Sequence, residues 1–176
     1  MKRAFTSLSP REALRIAIVI EERNAQIYQR LAEMFGKSCP ESPQIPSAFH
    51  DLANMERKHG MLLTKSYGER FGAVRTNLTE DDIWDFIETP RLAVADILTA
   101  VEAGDARGAR RMALQMALGA EEDAVNYYAR VAETTLDPEL KALCEEFVAF
   151  EQEHTNWVEK ELGQPDTRSG PAVATG

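Results

Sequence analysis

The sequence predicts an all-α protein, a four-helix bundle with one long crossover between its second and third long helices. Three observations carry that reading. Start and stop signals bracket long segments, apolar residues recur inside them at steps of three, four and seven, and one helix pair occurs twice along the chain. Strand signals are almost absent.

The elements follow in order. Ser9-Pro10-Arg11-Glu12 is a capping box with proline at the first helical position, so a helix opens there, runs to Phe35 and stops at Gly36. Residues 37–46 hold three prolines and read as a loop. Ser47 opens a second helix that reaches about Arg70, ahead of Gly72. In the mixed stretch that follows, Thr79 caps a short helix through Trp84, and Thr89-Pro90 opens another that ends at Gly104. Asp105 caps the third long helix, to about Thr134, and Asp137-Pro138 starts the last, which ends at Gly163. Each long helix holds roughly 24–28 residues, or about 36–42 Å. Residues 1–163 form one bundle on this reading, and 164–176, rich in Pro, Gly, Ser and Thr, are expected to be a mobile tail.

Composition narrows the function. A chain of 176 residues makes one domain at a prior of roughly 150 residues per domain, with enough length to bury a core without disulfides or a structural metal. With 44% apolar and 28% charged residues, disorder and low complexity are excluded. A net charge of −9 repels phosphate, so neither nucleic acid nor an anionic membrane is an expected partner, whereas cations are. Cys39 and Cys144 form no Cys-x-x-Cys pair, which rules out zinc-ribbon, thioredoxin-like and rubredoxin-like sites and makes a reducing compartment the default. No apolar signal-peptide region follows Met1-Lys2-Arg3, and the longest apolar run, Ile16 to Ile20, is far short of a membrane span, so the expected location is cytoplasmic.

The repeat is the most informative feature. Residues 13–33 align with 113–133 at an offset of 100, with Ala13, Leu14, Ala17, Glu21, Glu22, Tyr28, Arg30, Ala32 and Glu33 recurring. At an offset of 95, Leu52, Glu56, His59 and Leu63 meet Phe147, Glu151, His154 and Val158. The repeat units, about 10–70 and 105–162, predict a pseudo-two-fold bundle.

Six polar residues fall on faces that should be apolar. The first-helix stripe of Leu14, Ile18, Ala25, Ala32 and Phe35 takes Glu21 and Tyr28 into its phase, and Leu114, Leu118, Val125 and Ala132 do the same for Glu121 and Tyr128. Phe49, Leu52 and Leu63 bracket Glu56 and His59, and Phe147 and Val158 bracket Glu151 and His154. Four carboxylates and two imidazoles thus point into one core, where unpaired acids cost several kcal/mol each and repel one another. Two divalent cations supply four positive charges for four glutamates, and Glu-x-x-His spacing puts both donors on one helix face. A single Glu-x-x-His is usually a solvated face. Two copies, each on an apolar stripe and each using one of only three histidines, are not. His50 lies off the stripe and reads as surface, and Glu22 and Glu122, one step past their neighbours, read as solvated. Trp84, Trp157 and Met116 read as packing, and Cys144 as a small buried residue. Tyr28 and Tyr128 fit either core aromatics with satisfied hydroxyls or hydrogen-bond donors to a liganding carboxylate.

One Glu from each of two helices plus Glu-x-x-His from each of the other two resembles the carboxylate-bridged di-iron signature of ferritin-like proteins. The Glu-x6-Tyr elements, Glu21 to Tyr28 and Glu121 to Tyr128, resemble the rubrerythrin branch, over about residues 10–162 and without a rubredoxin domain. The resemblance implies that Glu21 and His59 are terminal ligands of one metal and Glu121 and His154 of the other, with Glu56 and Glu151 bridging. It implies two Fe ions, with Mn possible, oxidised by hydrogen peroxide or dioxygen, an external electron donor and a homodimer. Two departures stand out. Rubrerythrins proper carry a further glutamate three residues after the third-helix ligand, where this chain has Ala124, and their electron-delivering Cys-x-x-Cys domain is missing. Both favour a ferroxidase or oxygen- and peroxide-scavenging role over self-sufficient peroxidase turnover. A non-enzymatic iron-binding or storage protein, or a dimanganese or di-iron oxygenase variant, uses the same ligand set.

Overall fold

The computed structural model describes residues 4–73, 86 and 94–163. A 3-10 turn, Phe5–Ser7, precedes five helices: α1 (Pro10–Ser38), α2 (Gln44–Phe71), α3 (Val94–Glu102), α4 (Ala106–Thr134) and α5 (Pro138–Gly163). The bundle consists of α1, α2, α4 and α5, and α3 lies within the long crossover from α2 to α4. The expected short helix at Thr79–Trp84 and the start at Thr89-Pro90 lie outside the described residues, as does the tail.

Most helix starts follow the chemistry of the sequence. The Ser9 hydroxyl accepts from the Glu12 N–H and the Glu12 carboxylate accepts from the Ser9 N–H, which completes the capping box. Asp105 accepts from the Gly108 N–H at 2.8 Å, and Gly108 has no side chain because any Cβ would collide with that carboxylate. Asp137 caps α5 through the Leu140 N–H at 2.8 Å and also receives Arg70 from the end of α2.

Two boundaries differ from expectation. α1 continues through Gly36 to Ser38, because the Cys39 N–H still reaches the Phe35 carbonyl at 2.8 Å. Gly36 therefore lies inside the helix and does not take the left-handed conformation of a stop. α2 begins at Gln44, ahead of Ser47, with Pro46 inside its first turn, where a missing N–H costs nothing.

α1 packs along α2, α4 along α5, and the two hairpins meet through α1 and α4. The core is divided in two. One apolar cluster joins the start of α1 to the ends of α2 and α4 and the start of α5 (Leu14, Ile18, Leu63, Tyr67, Tyr127, Phe147), and the other occupies the opposite end (Phe35, Phe49, Leu52, Leu114, Ala117, Val158) with Ile97 of α3. On α4 the fully buried face runs through Ala113, Leu114, Ala117 and Ala124, while Leu118 and Val125 sit half-buried at its edge. Among the described residues, no helix is long and apolar enough to cross a membrane.

Candidate metal centre

Between the two apolar clusters lies a polar layer. Glu21, Glu56, Glu121 and Glu151 are each 0% exposed, and His59 and His154 are buried beside them. The structure thus brings all six residues chosen by helical phase into one place. His50, Glu22 and Glu122 are exposed, Met116 and Cys144 are buried in apolar surroundings, and Trp157 is half-buried; Trp84 lies outside the described residues.

The geometry is reciprocal between the repeats. His59 Nδ1 lies 3.6 Å from Glu21 Oε2 and 3.2 Å from Glu151 Oε1. His154 Nδ1 lies 3.4 Å from Glu121 Oε2 and 3.0 Å from Glu56 Oε1. Each histidine therefore faces the lone glutamate of its own hairpin and the Glu-x-x-His glutamate of the other. Glu151 reaches further, since its Oε2 is also 3.5 Å from His154 Nδ1, so its two oxygens address both imidazoles. The imidazole rings stack with centroids 5.1 Å apart, and one donor atom from each of Glu56, His59, Glu151 and His154 falls within 4.8 Å of the others.

The tyrosines tie the halves together. Tyr28 on α1 donates to Glu121 Oε1 on α4, and Tyr128 on α4 donates to Glu21 Oε1 on α1. Burial and the adjacent Glu121 or Glu21 carboxylate raise both phenols well above their ordinary range, so they remain O–H donors. Of the two readings of these tyrosines, the structure shows the second: each hydroxyl holds a carboxylate of the cluster.

The remaining oxygens and nitrogens find no such partner. Glu21 Oε2, both oxygens of Glu56 and of Glu151, Glu121 Oε2 and the Nδ1 atoms of both histidines are buried without an aligned hydrogen bond. Eight buried donor atoms without an aligned hydrogen bond around one centre are what a cation pair would satisfy, and carboxylate oxygens with two imidazoles suit Fe or Mn. The residues present therefore fit a di-metal site.

Without cations, protons take up the charge. Burial raises Glu56 well above the carboxylate range, with Glu121 adding to it, and burial lifts Glu121 to about 8. Burial opposes the charged form of His59, yet the Glu151 and Glu21 carboxylates outweigh it and bring the pKa to about 9; His154 is raised further by Glu121, Glu151 and Glu56 in the same way. Glu151, despite burial, is pulled down to about 2 by His154 and His59.

Beside Phe147, three neighbours, Phe150, Asn24 and Tyr127, carry no signal of their own in the sequence. Phe150 stacks on His59 at 5.2 Å and Phe147 meets its edge at 5.4 Å, so aromatic rings fix that imidazole. Asn24, one turn after Glu21, is 2% exposed with its Nδ2 unpartnered, and the repeat places Ala124 opposite it in register. Tyr127 donates to the Ala13 carbonyl at 2.8 Å and packs on Tyr128. Register with Glu21 marks Asn24 in hindsight, whereas Tyr127 and Phe150 look like any core aromatics.

Residues 12–106 match the family model described as Rubrerythrin. That stretch contains Glu21, Glu56 and His59, and the donors of α4 and α5 lie beyond it. Symerythrin of Cyanophora paradoxa is 33% identical over 142 residues, which is 77% of this chain and 72% of that protein. Among solved structures, an uncharacterized conserved protein from Magnetospirillum magnetotacticum MS-1 superposes with a TM-score of 0.67 at 24% identity, over 92% of this chain and 100% of the other, and so shares the fold.

Proposed function

The chain belongs to the rubrerythrin family, and from that premise we propose that it is a di-iron carboxylate protein acting in the redox chemistry of Fe(II) with peroxide or dioxygen. The observation that carries this reading is the set of eight buried donor atoms without an aligned hydrogen bond contributed by Glu21, Glu56, His59, Glu121, Glu151 and His154. Glu21 and His59 would hold one metal and Glu121 and His154 the other, with Glu56 and Glu151 between them. When bound, the metal pair supplies electrons and Lewis acidity to an O–O substrate.

The chain's own residues supply the rest. The Tyr28 and Tyr128 hydroxyls hold one oxygen of Glu121 and of Glu21, which leaves the other oxygen of each turned to the centre. His59 and His154 present Nδ1 inward, and Phe150 and Phe147 keep the His59 ring in that orientation. Ala124, 1% exposed, offers no fifth carboxylate, which supports oxidation of Fe(II) with an external reductant over rapid peroxidase cycling.

Anaerobic titration with Fe(II) tests the reading. Two Fe per chain are expected, followed on exposure to peroxide or air by oxidation much faster than that of free Fe(II), with a visible absorption. Oxidation at the rate of the free ion rejects the redox role. Size-exclusion chromatography then separates a dimeric enzyme from a many-subunit iron store.

A further inference from the structure

A groove of about 920 Å³ runs between α1 and α2 on the outer side of the first hairpin. Gln26, Arg30 and Met61 line it, and so do Ala25, Gly60 and Glu56. Glu56 is 0% exposed and neither of its oxygens has a hydrogen-bond partner, so an open groove ends against a buried donor of the acid cluster. Its width is held by a polar strap: Arg57 donates to Asn54 and across to Gln29, each at 2.8 Å, and Gln29 donates to Glu33 at 2.8 Å.

The neck of the groove exists because side-chain volume is missing there. A Cβ built on Gly60 would have one neighbour within 4 Å, the Glu21 Cβ at 3.5 Å, and Ala25 adds a single methyl. The repeat shows what could have stood in their place. In register with Gly60 the second hairpin has Thr155, buried, its hydroxyl donating to the Glu151 carbonyl at 2.9 Å; in register with Ala25 it has Val125, half-buried. The metal donors are duplicated between the hairpins, and these wall residues are not. The groove far exceeds the roughly 30 Å³ share of one water, whereas Glu56 at its floor is closed to solvent, so discrimination falls to the neck.

We infer that the α1–α2 groove is the access route by which small solutes from solvent, divalent cations foremost, reach the acid cluster, and that Gly60 and Ala25 keep its neck free of side-chain bulk. This inference rests on the di-metal reading above.

A plug at the mouth tests it without disturbing the core. Met61 is 72% exposed, and Cys39 and Cys144 are buried, so Met61→Cys creates one reactive thiol on the folded protein. Asn156, exposed and in register with Met61 on the second hairpin, gives the matched control as Asn156→Cys. Each is labelled with a bulky maleimide, and uptake of Co(II) by the metal-free protein is followed by stopped flow. Labelled Met61→Cys is expected to load about tenfold or more slowly than its unlabelled form while reaching the same final stoichiometry, and labelled Asn156→Cys is expected to load unchanged. Gly60→Leu should slow loading likewise and Gly60→Ala hardly at all. Unchanged loading of labelled Met61→Cys, or equal slowing at both positions, overturns the route. A wild-type protein that binds no metal pair at any time overturns the di-metal reading itself, and is told apart by its end point.

Discussion

On α2, Ala53 and Leu52 lie three and four residues before Glu56, and Leu63 and Tyr67 lie seven and eleven after it; all five are buried to 1% exposure or less. Depth does not distinguish the two kinds of layer, but satisfaction does. In the apolar ends the polar atoms of buried aromatics are partnered, Tyr67 by Arg11 Nε at 2.9 Å and Tyr127 by the Ala13 carbonyl, and Phe35 stacks on Phe49 at 5.8 Å. In the middle layer eight carboxylate and imidazole atoms are buried without an aligned hydrogen bond. A fold selected for stability alone would fill that layer with leucine. The ends therefore hold the bundle together, and the middle carries the donor set that fits a cation pair.

The largest expected consequence of that division is at Glu151, whose two oxygens face both histidines. Glu151→Ala should reduce metal content from two per chain to one or none by elemental analysis, while the metal-free helical circular dichroism stays intact. Phe49→Ala inverts the pattern. It empties an aromatic site in the apolar end and should cost about 3–5 kcal/mol in urea denaturation, with two metals still bound by the fraction that remains folded. If Phe49→Ala abolished metal binding at temperatures where it is folded, the layers would not be separable.

Titration distinguishes the layers next. Glu121 and Glu56 keep protons that the unfolded chain releases near its ordinary carboxylate pKa, and His59 and His154 keep protons that it releases near pH 6.5. Between about pH 5 and 9 the folded metal-free state binds more protons than the unfolded one, so its stability falls as pH rises through that window. Glu151 acts oppositely and elsewhere: its contribution is present above its ordinary pKa and is lost as pH falls toward about 2. Metal loading removes the same protons, so affinity should rise across the window in which the metal-free protein weakens. Melting temperatures at pH 5.5 and 8.5, with chelator and with metal, should diverge in opposite directions.

Removing a buried acid outright has a smaller effect. Glu56→Leu should stabilise the metal-free protein by about 1–4 kcal/mol at pH 8, because a buried acid among other acids becomes an aliphatic side chain continuous with Leu52 and Ala53. A lowered melting temperature in chelator would show that the cluster is already internally satisfied.

Helix phase made the six site residues legible because a glutamate on an apolar stripe has no bland explanation when it recurs in register. The caps at Ser9, Asp105 and Asp137 were legible for a similar reason, since each side chain bonds to a backbone within its own few residues. What escaped depends on distant neighbours. Gly36 reads as a stop, yet it is not left-handed and α1 runs through it to Ser38. Hydropathy puts the α4 stripe slightly out of phase because the contact face is built from Ala113, Ala117 and Ala124, which weigh little against Leu118 and Val125. Gly60 carried no message until the groove beside it was visible.

The gentlest test concerns the hydroxyls that cross between hairpins. Tyr128→Phe removes the donor to Glu21, and Tyr28→Phe the donor to Glu121, without changing the aromatic volume. Each variant should retain two metals and lose about 10–100-fold in affinity, as for other groups that orient a ligand from behind. Because the contacts are reciprocal, the two losses should agree to within a few-fold in competitive chelator titrations. Unequal losses would show that the halves differ in support as well as in their walls. The Tyr28→Phe variant would then be the informative one, because its partner Glu121 lies 3.4 Å from His154, the imidazole that approaches three of the four carboxylates.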